Sequence, residues 1–168
     1  GEELFWLKDP SPPLSSKVLD VFRQKTAPAF EVALRLGAIA AGSNGDVCAA
    51  LTSFSESLGI AYQIRDDIED FKDTQAGAGN PIRPVFPLAV AFETATETER
   101  QIIDLAWRNG LRRGSDQEQV DLIAGLSEAK AWRLFEEYRS RALRTINELD
   151  NVHLKNLLRK VAAKILNR

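Results

Sequence analysis

The sequence predicts an all-α protein, a helical bundle forming one domain over residues 1–168, and three observations carry that expectation. Apolar side chains recur at three- and four-residue spacing through most of the chain. No run alternates with the two-residue period of a half-buried strand. Prolines and glycines gather in short stretches that divide the periodic segments into about six or seven helices. A chain of this length, 44% hydrophobic and 27% charged, buries roughly 70% of the surface its unfolded form exposes.

Residues 1–15, GEELFWLKDPSPPLS, hold three prolines and form an irregular lead-in, with Phe5, Trp6 and Leu7 packing against the body or against chain outside this sequence. A helical pattern runs from Ser15 or Ser16 to about Ala41 on Val18, Leu19, Phe22, Phe30, Leu34 and Ile39. Pro28 interrupts it, removing a backbone hydrogen bond and kinking the axis. GSNGD, residues 42–46, is a turn whose Asp46 caps the next helix, which continues to Asp70 or Phe71. DTQAGAGNPIRP, residues 73–84, is a loop. Four further helical segments follow at 84–95, 96–110, 115–126 and 127–149, the last capped by Ser127, and 151–168 closes the chain.

Several function classes are excluded by composition. With 22 basic and 24 acidic residues the net charge is −2, which leaves no basic footprint for nucleic acid. His153 is the sole histidine, so neither a nucleophile–histidine pair nor the Glu-x-x-His pairs of a di-iron bundle can be assembled. Cys48 is the sole cysteine and forms no internal disulfide, which fits a reducing, cytoplasmic compartment. No run of 18 apolar residues and no basic-then-apolar leader is present, so no transmembrane segment is expected. Methionine is absent altogether and the chain opens on Gly-Glu, as in a processed protein or a piece of a longer one.

Chemistry concentrates in LGIAYQIRDDIEDF, residues 58–71. On a helix, Gln63, Asp66, Asp67 and Asp70 share a sector of roughly 100° with Gly59, while Ile60, Ala61, Ile64, Ile68 and Phe71 fill the neighbouring sector and face a core. Like charges at three- and four-residue spacing repel by about 0.2–0.5 kcal/mol per pair, and a helix C-terminus disfavours anions further. A solvated acidic helix end is one reading. Compensation by Mg²⁺, which joins one or two carboxylates to substrate phosphates, is the other. An EF-hand loop does not fit, since Ile68, Phe71 and Lys72 break its ligand frame. Upstream, Lys25-Thr26 precedes Pro28; Thr26 as a cap, helix-start amides and the lysine charge together suit a phosphate, the plainer reading being a surface lysine.

KTAPAFEVALRLGAIAAG followed by LGIAYQIRDDIEDF resembles the trans-isoprenyl diphosphate synthases, or polyprenyl synthetases. Gly59, Tyr62, Gln63, Asp66, Asp67 and Asp70 fill every specified position of that family's Gly-x-x-[Phe/Tyr]-Gln-x-x-Asp-Asp-x-x-Asp motif. RPVFPLAVAFE is similar to its Lys-Pro-Thr-Leu-Pro-Leu segment, with Arg83 at the lysine position, and AWRLFEEYRSRALRTINEL and LRKVAAKILNR are similar to its two closing helices. The resemblance implies the C-terminal portion of the isoprenoid synthase fold and a head-to-tail prenyl transfer from an allylic diphosphate to isopentenyl diphosphate, with Mg²⁺ as cofactor. It implies Asp66 as principal metal ligand, with Asp67 and Asp70 supporting through water or from behind the direct ligands. Lys25, Thr26 and Gln63 would be the catalytic pocket residues that contact the diphosphate, and Arg83 would add charge.

The first aspartate-rich motif, the Arg-Arg pair after it and the Gly-Lys-x-[Arg/Lys] segment that binds isopentenyl diphosphate have no counterpart here. The loop after Asp70 is short, with GAG where a lysine is usual, and Arg168 lies where family members tend to end. The expectation is therefore a C-terminal half whose partner is the missing N-terminal half of the same fold, homodimeric in the parent protein and inactive alone. The alternative is a non-catalytic partner or regulatory subunit of a prenyl synthase heteromer.

Overall fold

The computed structural model describes residues 8–43, 45–74, 84–112 and 116–166, and among them it contains seven helices and no strand. They are α1 (Ser15–Lys25), α2 (Ala27–Ala40), α3 (Gly45–Thr74), α4 (Val85–Thr94), α5 (Glu97–Asn109), α6 (Gln117–Asn147) and α7 (Val152–Leu166). The all-α expectation holds. None of these helices is long and apolar enough to cross a membrane. Phe5, Trp6, Leu7 and most of the loop at 73–84, Arg83 included, lie outside the described residues.

Several boundaries differ from the sequence reading, each for a local reason. The segment at 15–41 is two helices, because Pro28 falls in the first turn of α2, where its missing N–H interrupts nothing. Thr26 stands at the N-cap of α2 but its side chain makes no capping bond. Gly42, at φ +72°, closes the end of α2 while the Gly42 and Ser43 amides donate to Ile39 and Ala38. Asp46 lies inside the first turn of α3 rather than at its cap, still at the end where an anion is favoured.

The segments at 115–126 and 127–149 are one helix. Ser127 does not cap a new one; it is buried and its hydroxyl donates to the Ile123 carbonyl at 2.7 Å. A buried stripe of Val120, Ile123, Ser127, Ala131, Phe135 and Tyr138 runs through the expected break with helical period, so nothing favours an interruption there. Thr96 and Glu99 start α5, the Thr96 amide and hydroxyl both donating to Glu99 Oε2 at 2.7 Å. Asn151 starts α7 by accepting from the Leu154 amide at 3.0 Å.

The chain forms two compact units, Gly1–Val21 with Asp66–Arg133 and Phe22–Arg65 with Leu134–Arg168, so the divisions fall inside α1, α3 and α6. In the first unit Phe71, Leu88, Ile103, Trp107, Leu111 and Ile123 belong to one buried apolar cluster. The Trp107 indole donates to the Asp9 carbonyl at 3.0 Å and Arg108 to Pro10 at 3.1 Å, which ties down the lead-in. Glu93 on α4 accepts from the Ser15 amide at 2.7 Å, from the Ser15 hydroxyl at 3.0 Å and from Lys130 Nζ at 2.7 Å, capping α1 from another helix. In the second unit Phe54, Leu58, Ile64, Ala142, Ile146 and Leu158 are buried. Its α2 is unusual: Val32, Leu36 and Ile39 are 57%, 62% and 59% exposed, which leaves an apolar stripe uncovered.

Burial opposes ionisation of Glu93, but Lys130 and Ser15 outweigh it and hold the carboxyl below its ordinary range. A folded pKa below the unfolded value stabilises the native state fully above the unfolded pKa, and that contribution is lost as pH falls below about 4.5. Glu93→Ala should cost roughly 2 kcal/mol, about 6 °C in melting temperature, and Glu93→Gln should flatten the acid limb of a stability–pH profile. Thermal melts between pH 3 and 7 check both outcomes.

Candidate functional site

The residues singled out from sequence fall into two groups, one in each unit. In the second unit Lys25 is the exposed last residue of α1, where a cation complements the helix dipole, and Thr26 is half-buried at the junction with α2. Helix α3 lies directly against that junction. A methyl group added to Gly59 would stand 3.0 Å from Ala27 N, 3.1 Å from Ala27 Cα and 3.4 Å from the Thr26 carbonyl carbon. A Cβ here would be tighter than nearly all real Cβ contacts, so glycine lets the two backbones approach without displacement. Gln63, half-buried, follows one turn along α3.

Neighbouring contacts hold the same register. The Phe30 and Tyr62 rings meet edge-on, with centroids 6.4 Å apart at 71°. The Arg65 guanidinium lies 5.4 Å from the Tyr62 ring centre, and Nη1 donates to the Ile165 carbonyl in the last turn of α7. Arg65 is 4% exposed, so this buried cation is placed at the negative end of a helix. The expected ring of helix-start amides is not available at the Lys-Thr corner. The Thr26 amide donates to Phe22 and the Ala29 amide to Thr26, Pro28 has none, and Ala27 N is packed under Gly59.

In the first unit Asp66 and Asp67 are half-buried and Asp70 is exposed, while Ile68 and Phe71 beside them are 3% and 5% exposed. The amphipathic division read from sequence is present, with Ile60, Ala61 and Ile64 fully buried upstream. Asp67 Oδ2 accepts from the Phe86 amide at 2.9 Å, in the first turn of α4. Lys72 pairs with Glu128 at 3.0 Å and lies 5.2 Å from the Trp132 ring centre, and the bond from Lys72 holds the Glu128 carboxyl below its ordinary range. A cavity of about 330 Å³ opens beside this pair, lined by Ile68, Phe71, Pro87, Ala124 and Ala131.

Among the described residues no three His, Cys, Asp or Glu side chains converge to hold a metal ion. The carboxylates are strung along a helix, offering one or two oxygens rather than a closed cage. That donor set suits Mg²⁺, which takes its remaining ligands from substrate phosphate and water, and it does not suit a cation that needs six or more protein oxygens. Sequence reading missed the Asp67 and Glu93 caps and the Arg65 tie to α7. The first had a signal: a helix that begins Pro-Val-Phe-Pro carries no capping side chain of its own.

Residues 3–123 match the family described as Polyprenyl synthetase. The chain is 28% identical over 143 residues to a geranylgeranyl diphosphate synthase of Sulfolobus acidocaldarius, covering 79% of this chain and 43% of that protein. It is 27% identical over 155 residues to heptaprenyl diphosphate synthase component 2 of Geobacillus stearothermophilus, covering 85% and 46%. The crystal structure of a decaprenyl diphosphate synthase from Rhodobacter capsulatus superposes with a TM-score of 0.77 at 26% identity, covering 93% of this chain and 51% of that one. The chain therefore spans about half the length of these relatives.

Gly59→Ala would gain about 1 kcal/mol of helix propensity but presses a methyl group against the Thr26–Ala27 backbone, which must shift by a few tenths of an ångström to admit it. A net loss of about 1–2 kcal/mol is expected in urea unfolding, as for other overpacking substitutions.

Proposed function

This chain belongs to the polyprenyl synthetase family, and on that premise we propose that it is the C-terminal half of a Mg²⁺-dependent prenyltransferase that condenses an allylic diphosphate with isopentenyl diphosphate. The observation that carries the reading is the Lys25-Thr26 corner fixed against α3 by Gly59, one turn ahead of Gln63. The motif residues keep their types, and close backbone packing that glycine allows without displacement sets Thr26 against α3.

Lys25 neutralises phosphate oxygens as the allylic C–O bond lengthens, with the Thr26 hydroxyl and the Gln63 amide as further donors to the departing diphosphate. Asp66 would hold the cation, with Asp70 supporting it through water and Asp67 placed behind it without a bond to the metal, and Arg83 would add positive charge. Mg²⁺, when bound, supplies Lewis-acid neutralisation of the leaving group. The diphosphate departs with the electron pair of the broken bond. The double bond of isopentenyl diphosphate forms the new carbon–carbon bond to the allylic cation, and a proton is then lost.

The first aspartate-rich motif and the isopentenyl diphosphate segment would come from an N-terminal half, which also gives the apolar stripe of α2 something to pack on. The parent protein would be a cytoplasmic homodimer, and this chain by itself would be inactive. A second reading, a non-catalytic subunit of a heteromer, draws support from likeness to a protein named as a synthase component.

Incubated with Mg²⁺, an allylic diphosphate and isopentenyl diphosphate, this chain should form no sustained product. Adding a separate chain that carries the first aspartate-rich half should restore turnover, and Asp66→Asn should then lower it by about 10²-fold or more. Turnover by the chain alone would overturn the half-site reading. Restored turnover indifferent to Asp66→Asn would favour the non-catalytic one.

A further inference from the structure

Resting on the reading of the aspartates as one side of a diphosphate site, we propose that Asp67 is a positioning residue. It caps α4, and it serves the site through the placement of that helix rather than through a bond to the metal. The first turn of α4 is poor in caps and in donors. Pro84, at the N-cap, has no side-chain acceptor, and Pro87 has no N–H. The Leu88 amide is already satisfied by the Pro84 carbonyl at 3.1 Å. Val85 and Phe86 are then the residues of this turn whose amides need an acceptor from outside the helix.

Phe86 is fully buried, where an unpaired amide is costly, and Asp67 Oδ2 meets it at 2.9 Å. The same bond answers the electrostatic puzzle of the acidic helix end. Asp67 lies in the second-last turn of α3, where the dipole of its own helix disfavours an anion, but its charge sits at the positive end of α4. For this one carboxylate, α4 supplies the compensation that a cation otherwise would. The helix so held is buried from Phe86 to Ala91, so a shift at its first turn is transmitted along the core.

The test uses the full 168-residue chain with Asp67→Asn, Asp67→Ala and Asp66→Asn. Three quantities are followed: hydrogen exchange of the Phe86 amide, the melting temperature, and Mn²⁺ binding by electron paramagnetic resonance with inorganic diphosphate present. Asp67→Asn keeps an acceptor oxygen and should retain Phe86 protection, melt within about 2 °C of the unsubstituted chain and bind Mn²⁺ within about threefold. Asp67→Ala should lose about tenfold or more of Phe86 protection and melt lower. Asp66→Asn should keep Phe86 protected and lose Mn²⁺ binding.

Unchanged Phe86 protection in Asp67→Ala overturns the proposal, and so does loss of Mn²⁺ binding in Asp67→Asn with Phe86 still protected. Should the alanine variant not fold, Asp67→Leu, similar in size to asparagine but without an acceptor, replaces it and is read in the same way. If the unsubstituted chain binds no Mn²⁺, the diphosphate-site reading fails, while Phe86 exchange still decides the cap.

Discussion

The backbone contact between Gly59 and the Thr26–Ala27 peptide sets the geometry on which the Lys-Thr corner depends. A glycine in a helix interior costs about 1 kcal/mol against alanine, and α3 carries that cost at a position where a Cβ would press on backbone at 3.0–3.4 Å. In return, the end of α1 and the start of α2 are fixed against α3 without relying on flexible side chains. Phe30 on Tyr62 and Arg65 beneath Tyr62 keep the register from sliding. The backbone from which the exposed Lys25 projects is thus anchored next to a packing contact.

A second principle organises the first unit: carboxylates from one helix cap the start of another. Asp67 serves α4, and Glu93 serves α1 while also binding Lys130 of α6. Both replace the local caps that these starts lack. The result couples helix placement to charge, because each cap is an anion at the positive end of a neighbouring dipole. The acidic end of α3 is accordingly less anomalous than its composition suggests. One of its three aspartates, Asp67, is engaged with a backbone amide at the start of α4.

Much of the architecture was legible in the sequence because helical periodicity is a local signal. The buried sector of α3, Ile60, Ala61, Ile64, Ile68 and Phe71, followed directly from spacing. Breaks were less legible. Spacing alone suggests a kink at Pro28 and a helix start at Ser127; whether a hydroxyl caps or turns back to a carbonyl depends on burial, which spacing does not encode. Cross-helix caps were invisible for the same reason, since Asp67 and Phe86 are 19 residues apart. Ile39, part of the helical pattern read from spacing, is exposed together with Val32 and Leu36 on α2, which periodicity alone does not reveal. At the site, residue types were readable from the motif, while the loss of the helix-start amides to internal bonds was not.

The central claim is that this chain carries one wall of a Mg²⁺–diphosphate site. Calorimetric titration of inorganic diphosphate into the full chain, with and without Mg²⁺, tests it most directly. The account predicts saturable binding that requires Mg²⁺ and weakens about tenfold or more when Lys25 is replaced by alanine. Binding of equal strength without Mg²⁺, or none under either condition, would contradict it.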